Sequence, residues 1–229
     1  MSVAHPRRTQ IPEPEEAPGA QRFLPAEHTL GAMRAAVVAC QGCPLYRDAT
    51  QAVFGEGVDH ARVMMIGEQP GDSEDLAGKP FVGPAGHVLD AALAVAGIPR
   101  DEVYVTNVVK HFKFTRRGKR RIHDKPTQYE IAACRPWLVS ELALVAPDIV
   151  VVLGATAAQS LLGRTFRVTK ERGVERATPL APHTFATVHP ASVLRAPDEA
   201  QRQIAREAFF ADLVMVGACY RRLRSTGMH

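Results

Sequence analysis

The chain has 229 residues, 46% of them hydrophobic and 23% charged, with a formal net charge of +4. That suffices for one globular domain with a substantial core and leaves too little for a second full domain. No run approaches the roughly 18 to 20 consecutive apolar residues of a membrane span, and the stretch MSVAHPRRTQIPEPEE lacks the apolar core of a secretory signal, so an intracellular, cytoplasmic protein without a membrane partner is expected.

In chain order, residues 1–25 carry five prolines and no apolar period, which predicts a disordered tail ahead of a single domain over 26–229. ARVMMIGE (61–68) is the first strand, breaking at Gly67 into the glycine-rich stretch GEQPGDSEDLAGKPFVGPAG. A helix over about 84–96 puts Leu89, Leu93 and Ala96 on one face, with Gly97 as its stop. VYVTNVV (103–109) is the second strand. A basic loop follows, then a helix opening with Thr127 and Glu130 in capping-box spacing and carrying Trp137, Leu138, Leu142 and Val145 toward a core. DIVVVLGA (148–155) reads as a strand buried on both faces, with a short helix to about Leu162. HTFATVHP (183–190) is the fourth strand, and an amphipathic helix runs from about Pro197 to Leu223.

Alternation of strand and helix predicts an α/β fold, a three-layer α/β/α sandwich around a central four-stranded parallel sheet. Ligands of such sheets bind beyond the carboxyl ends of the strands, here marked by Glu68, Asn107, Gly154 and His189. No long apolar heptad or stripe calls for a partner chain, so a monomer is expected.

Three groups of residues carry chemistry. Cys40-Gln-Gly-Cys43 has the spacing of a metal, cluster or redox pair, and it does not sit between a strand and a helix as a thioredoxin-type pair would. Further ligands would come from Cys134 and from either Cys219 or a histidine such as His111; the apolar context VGACYRR suits Cys219 to simple burial. In the glycine-rich stretch, which fits neither the Walker nor the dinucleotide pattern, Glu68 and Asp72 are candidate acid/base groups and Phe81 offers a stacking ring. Between Lys110 and Lys125 lie eight Lys or Arg residues against one acid, Asp124, with Phe112 and Phe114 interleaved, a pattern suited to phosphates and stacked bases. Within it GKRRIHDKP places His123 in fixed positive charge; the loop alone reads His123 as one more phosphate contact.

GEQPGDSEDLAGKPFVGPAG, TNVVKHFKF, CRPWL and HPASVLR together resemble the family 4 uracil-DNA glycosylases, over roughly residues 35–215. KRRIH at 119–123 together with Gln69 resembles the signature of the X-type members (UdgX), which trap their substrate covalently. The resemblance implies a flat uracil pocket read after base flipping. In it Gly67 and Phe81 would receive the base, Asn107 would pair with its edge and reject cytosine, and His189 would stabilise the charge on departing uracil. Lys119, Arg120, Arg121, Ser192 and Arg195 would contact DNA, single- or double-stranded.

The resemblance also implies a 4Fe-4S cluster on Cys40, Cys43, His111 and Cys134, where His111 replaces the family's usual cysteine; imidazole ligation of cluster iron is chemically tolerable. For His123 it implies a nucleophile that captures the sugar cation in place of water. Glu68 would orient the ring, with Gln69 and Asp72 in the same catalytic group. Two other readings remain: a conventional multiple-turnover glycosylase, and a non-catalytic iron-sulfur protein that binds nucleic acid.

Overall fold

The computed structural model describes residues 19–225. Its core is a sheet of β1 (Val63–Gly67), β2 (Val103–Asn107), β5 (Ile149–Leu153), β6 (Arg176–Thr178) and β7 (Ala181–Thr187), in the order β2-β1-β5-β7-β6. A separate antiparallel hairpin joins β3 (Phe114–Arg117) to β4 (Arg120–His123). The helices are α1 (Leu30–Val37), α2 (Asp72–Ala77), α3 (Pro84–Ala96), α4 (Gln128–Val145), α5 (Ala155–Leu161), α6 (Val168–Glu171), α7 (Ala191–Leu194) and α8 (Glu199–Ser225).

Side-chain parity along the strands divides the core into two layers. Met64, Ile66, Tyr104, Val150 and Val152 join Trp137 of α4 and Met33 of α1 on one face. Val63, Met65, Val103, Val105, Ile149 and Val151 join Leu89 and Leu93 of α3 and Phe209 and Leu213 of α8 on the other. Every residue of β1, β2 and β5 is buried, which is why these strands read as continuous apolar runs. The predicted α/β/α sandwich is therefore observed. Gly97 closes α3 in the left-handed conformation, and Thr127 and Glu130 form the predicted capping box of α4.

The sheet has five strands, not four. The four predicted strands are mutually parallel, and β6 adds an antiparallel edge against β7. β6 is three residues long, half-exposed and polar, so it leaves no apolar run to read. The basic loop is likewise a hairpin, with Gly118 at its turn (φ +60°) and Phe114 paired with His123. Of the tail expected over 1–25, residues 1–18 lie outside the described residues. Residues Ala20–Phe23, by contrast, form a 3-10 helix with Ala20 wholly buried.

Candidate active site at the carboxyl ends of the strands

The parallel register sets Gly67 beside Asn107, so β1 and β2 end together. A Cβ at position 67 would lie 2.3 Å from Asn107 Oδ1 and 2.9 Å from Phe81 Cζ. Only glycine lets the amide and the ring approach the strand end this closely. Asn107 is 3% exposed, and its Oδ1 has no hydrogen-bond partner. A buried acceptor left unpaired costs about 1–3 kcal/mol, so this atom is poised for a donor that enters from the cleft. Lys110 Nζ holds the backbone carbonyl of Asn107 from below at 2.8 Å.

Phe81 sits at φ +56°, unusual for a side-chain-bearing residue. Its loop is braced by Glu74, whose carboxylate accepts from the amides of Gly71 (3.1 Å) and Gly83 (2.8 Å). Opposite stands His189, its ring tilted 26° from that of Phe81 with centroids 6.0 Å apart. His189 Nδ1 accepts from the amide of Ala191 at 3.2 Å. That bond assigns the proton of the neutral ring to Nε2, leaving Nε2–H as a donor. Burial first, then the electrostatic influence of Arg195 and His123, pushes His189 down to about 4, so the ring is neutral at pH 7.

Phe81, Asn107 and His189 line one cleft of about 370 Å³ together with Glu68, Gln69, His123, Ser192 and Arg195; Gly67, expected to receive the base, is not among its lining residues. His123 stands at its mouth, half-exposed, with Nε2 3.4 Å from Glu68 Oε1. This contact falls short of a hydrogen bond, and Glu68 Oε1 is another buried acceptor without a hydrogen-bond partner. Gln69 bonds to backbone rather than to the imidazole. Its amide donates to the carbonyls of Lys113 (3.1 Å) and Asp124 (2.9 Å) and accepts from the amide of Lys113 (3.1 Å). One buried side chain thus clamps both feet of the hairpin that ends in His123.

Three expectations, two of them about the basic segment, need correction. Arg121, expected on DNA, turns inward: it pairs with Asp72 (2.5 Å) and Asp75 (2.6 Å) and lies over the rings of Phe112 and Phe114. Asp72 is consequently an anchor for the hairpin rather than a free acid/base group. Phe112 is 1% exposed and offers no face to a base. Lys119 and Arg120 are exposed at the hairpin turn, and Arg195 is exposed at the cleft rim, as DNA contacts would be. Ser192 donates to the carbonyl of His189 at 2.7 Å and so supports that loop.

Sequence reasoning overlooked Thr156 and Thr169, which also line the cleft and belong to no recognisable pattern, and it gave Lys125 of the basic run, which lines it too, no role of its own. It also overlooked Glu74, although an acid three residues after Gly71 is a helix-start signal. Lys110, counted with the basic loop, is in fact wholly buried and paired with Glu141.

Cys40, Cys43 and Cys134 are buried in one core layer with α1 and α4, whereas Cys219 lies in the other. Burial raises Cys43 to about 11 and Cys134 to about 12; Cys40 adds to the rise at Cys43, and both Cys43 and Cys40 add to it at Cys134. Lys110 donates its amide to Cys134 Sγ and Trp137 its indole N–H to Cys40 Sγ, both at 3.2 Å. His111, next in sequence to Lys110, is 4% exposed and is pushed down to about 4, chiefly by burial. Three buried sulfurs, two of them with N–H donors aimed at them, and a buried imidazole one residue beyond the Lys110 amide that bonds Cys134, fit a thiolate-ligated cluster.

With its strand-end cleft, glycine loop and HPAS turn on an α/β/α scaffold, the chain belongs to the uracil DNA glycosylase superfamily, whose model matches residues 54–214. It is similar to the Type-4 uracil-DNA glycosylase of Thermotoga maritima, 38% identical over 73% of this chain and 84% of that one. It is also similar to those of Sulfurisphaera tokodaii (37% identical; 76% and 78% covered) and Archaeoglobus fulgidus (34%; 79% and 88%). Among the described residues no helix is long and apolar enough to cross a membrane.

Proposed function

We propose that the protein excises uracil from DNA and becomes joined through His123 to the sugar it exposes. The observation that carries this is the placement of His123 on the same cleft as Asn107, Phe81 and His189, with a carboxylate behind its ring. A uracil turned out of the helix would lie against Phe81. Its N3–H would meet the unpaired Oδ1 of Asn107, and the same amide's N–H₂ would donate to O4. Cytosine, which lacks the N3–H and carries an amino group at position 4, would leave that buried acceptor unpaired.

Cleavage breaks the C1′–N1 bond, and the electron pair leaves with uracil. Nε2–H of His189 donates to the oxygen on which that charge collects. The lone pair of the His123 ring then forms a bond to C1′, and the ring proton passes to Glu68 and on to solvent. Each chain consequently reacts once. Binding of a 4Fe-4S cluster by Cys40, Cys43, His111 and Cys134 belongs to the same reading; the group would tie the segment before β1 to α4, a structural task.

The test is to incubate the protein with a uracil-containing single-stranded oligonucleotide, measuring free uracil and running a denaturing gel. Uracil release with a heat- and detergent-stable shifted band is the expected result. Uracil release over many turnovers without the band would leave a conventional glycosylase, and no uracil release would leave a nucleic-acid-binding protein. Visible absorbance and iron content of the purified protein test the cluster.

A further inference from the structure

We propose that Glu175, His183 and Cys219 form a second, mononuclear metal site of the zinc class, remote from the cleft. The three donor atoms lie within 4.8 Å of one another. They come from three separate pieces of chain: the segment before β6, the start of β7, and α8. His183 pairs in register with Ile149 at the start of β5, and His189 lies six residues further on, so the two ends are separated by roughly 20 Å of extended strand. The trio therefore belongs to the opposite edge of the sheet, and Cys219 lies in the core layer that lacks the other cysteines.

A thiol, an imidazole and a carboxylate form a borderline-soft set that suits Zn²⁺ and does not suit Mg²⁺ or Ca²⁺. The local bonding already has the form of a cation site. Arg222 Nη2 contacts Glu175 Oε1 at 2.8 Å and Cys219 Sγ at 3.4 Å, while His183 Nδ1 is 2.7 Å from the same carboxylate oxygen. One guanidinium nitrogen thus touches two of the three donor groups. Its side chain is half-exposed on the last turns of α8, so it can swing into solvent when an ion arrives. On binding, Zn²⁺ takes the place of the Cys219 thiol proton, which goes to solvent, and the three protein ligands leave a fourth position for water.

The experiment equilibrates the intact protein with ZnCl₂, passes it through metal-free buffer, and counts zinc and iron per chain. About one zinc is expected in the wild type. Glu175→Gln and His183→Gln change half-exposed side chains, so both variants should fold; each should lose the zinc while keeping the wild-type iron content and uracil release. Arg222→Gln, which removes the resident cation, should retain zinc through longer washing than the wild type. No retained zinc in the wild type, or equal retention in the wild type and in Glu175→Gln and His183→Gln, would overturn the proposal.

Discussion

Gly67 has no side chain of its own in the chemistry, yet it sets how closely Asn107 and Phe81 meet. With 2.3 Å available between a Cβ and Asn107 Oδ1, Gly67→Ala should push the amide out of the base plane. Single-turnover uracil release should fall by about 10²-fold or more, the scale of losing one well-placed polar contact in a transition state, with little change in circular dichroism. His189 makes a prediction in pH. Its folded value of about 4 lies below the unfolded 6.5, so between those values the unfolded chain binds the extra proton. The stability it contributes is present above pH 6.5 and is lost as pH falls toward 4. His189→Gln removes that difference, so the gap in Tm between wild type and variant should change over pH 6.5 to 4 and stay level from 7 to 8.

At the scale of elements, the hairpin β3–β4 is the piece that brings His123 to the cleft, and its fixings come from far away in sequence. Gln69 holds its feet and Asp72 and Asp75 hold Arg121. Gln69→Ala should therefore speed amide hydrogen exchange over 114–123 and lower the rate of adduct formation, while uracil release, which the proposal assigns to Asn107 and His189, persists. Equal loss of both activities would show that Gln69 serves the cleft as a whole. These long-range fixings also explain what could be read from the sequence. β1, β2 and β5 announce themselves because burial on both faces demands apolar runs, and α3 and α4 because their caps are local. Arg121 and Phe112 were misjudged because their partners lie elsewhere in the chain: a basic run shows charge, and only the fold shows which guanidinium turns inward. The residues at strand ends were legible since topology alone brings Glu68, Asn107 and His189 to one edge. β6 and the hairpin carry no period to detect.

Across the whole molecule, one buried ion pair ties the layers beneath the site. Glu141 of α4 accepts from Lys110, Thr106, Tyr104 and the amide of Gly55, and Lys110 in turn supports Asn107. Both charged side chains are wholly buried, so removing one strands the other. Glu141→Leu should cost about 3–5 kcal/mol, a fall in Tm of roughly 6–20 °C at roughly 2–4 °C per kcal/mol. The double replacement Lys110→Met with Glu141→Leu should recover much of that loss. At this scale the proposal is that the whole chain is consumed with its substrate. It is tested most directly by digesting the heat-stable protein–DNA product and locating the sugar by mass spectrometry. The account predicts one adduct per chain, on the imidazole of His123, absent from His123→Ala even where that variant still releases uracil; an adduct on any other residue, or one that survives in His123→Ala, contradicts it.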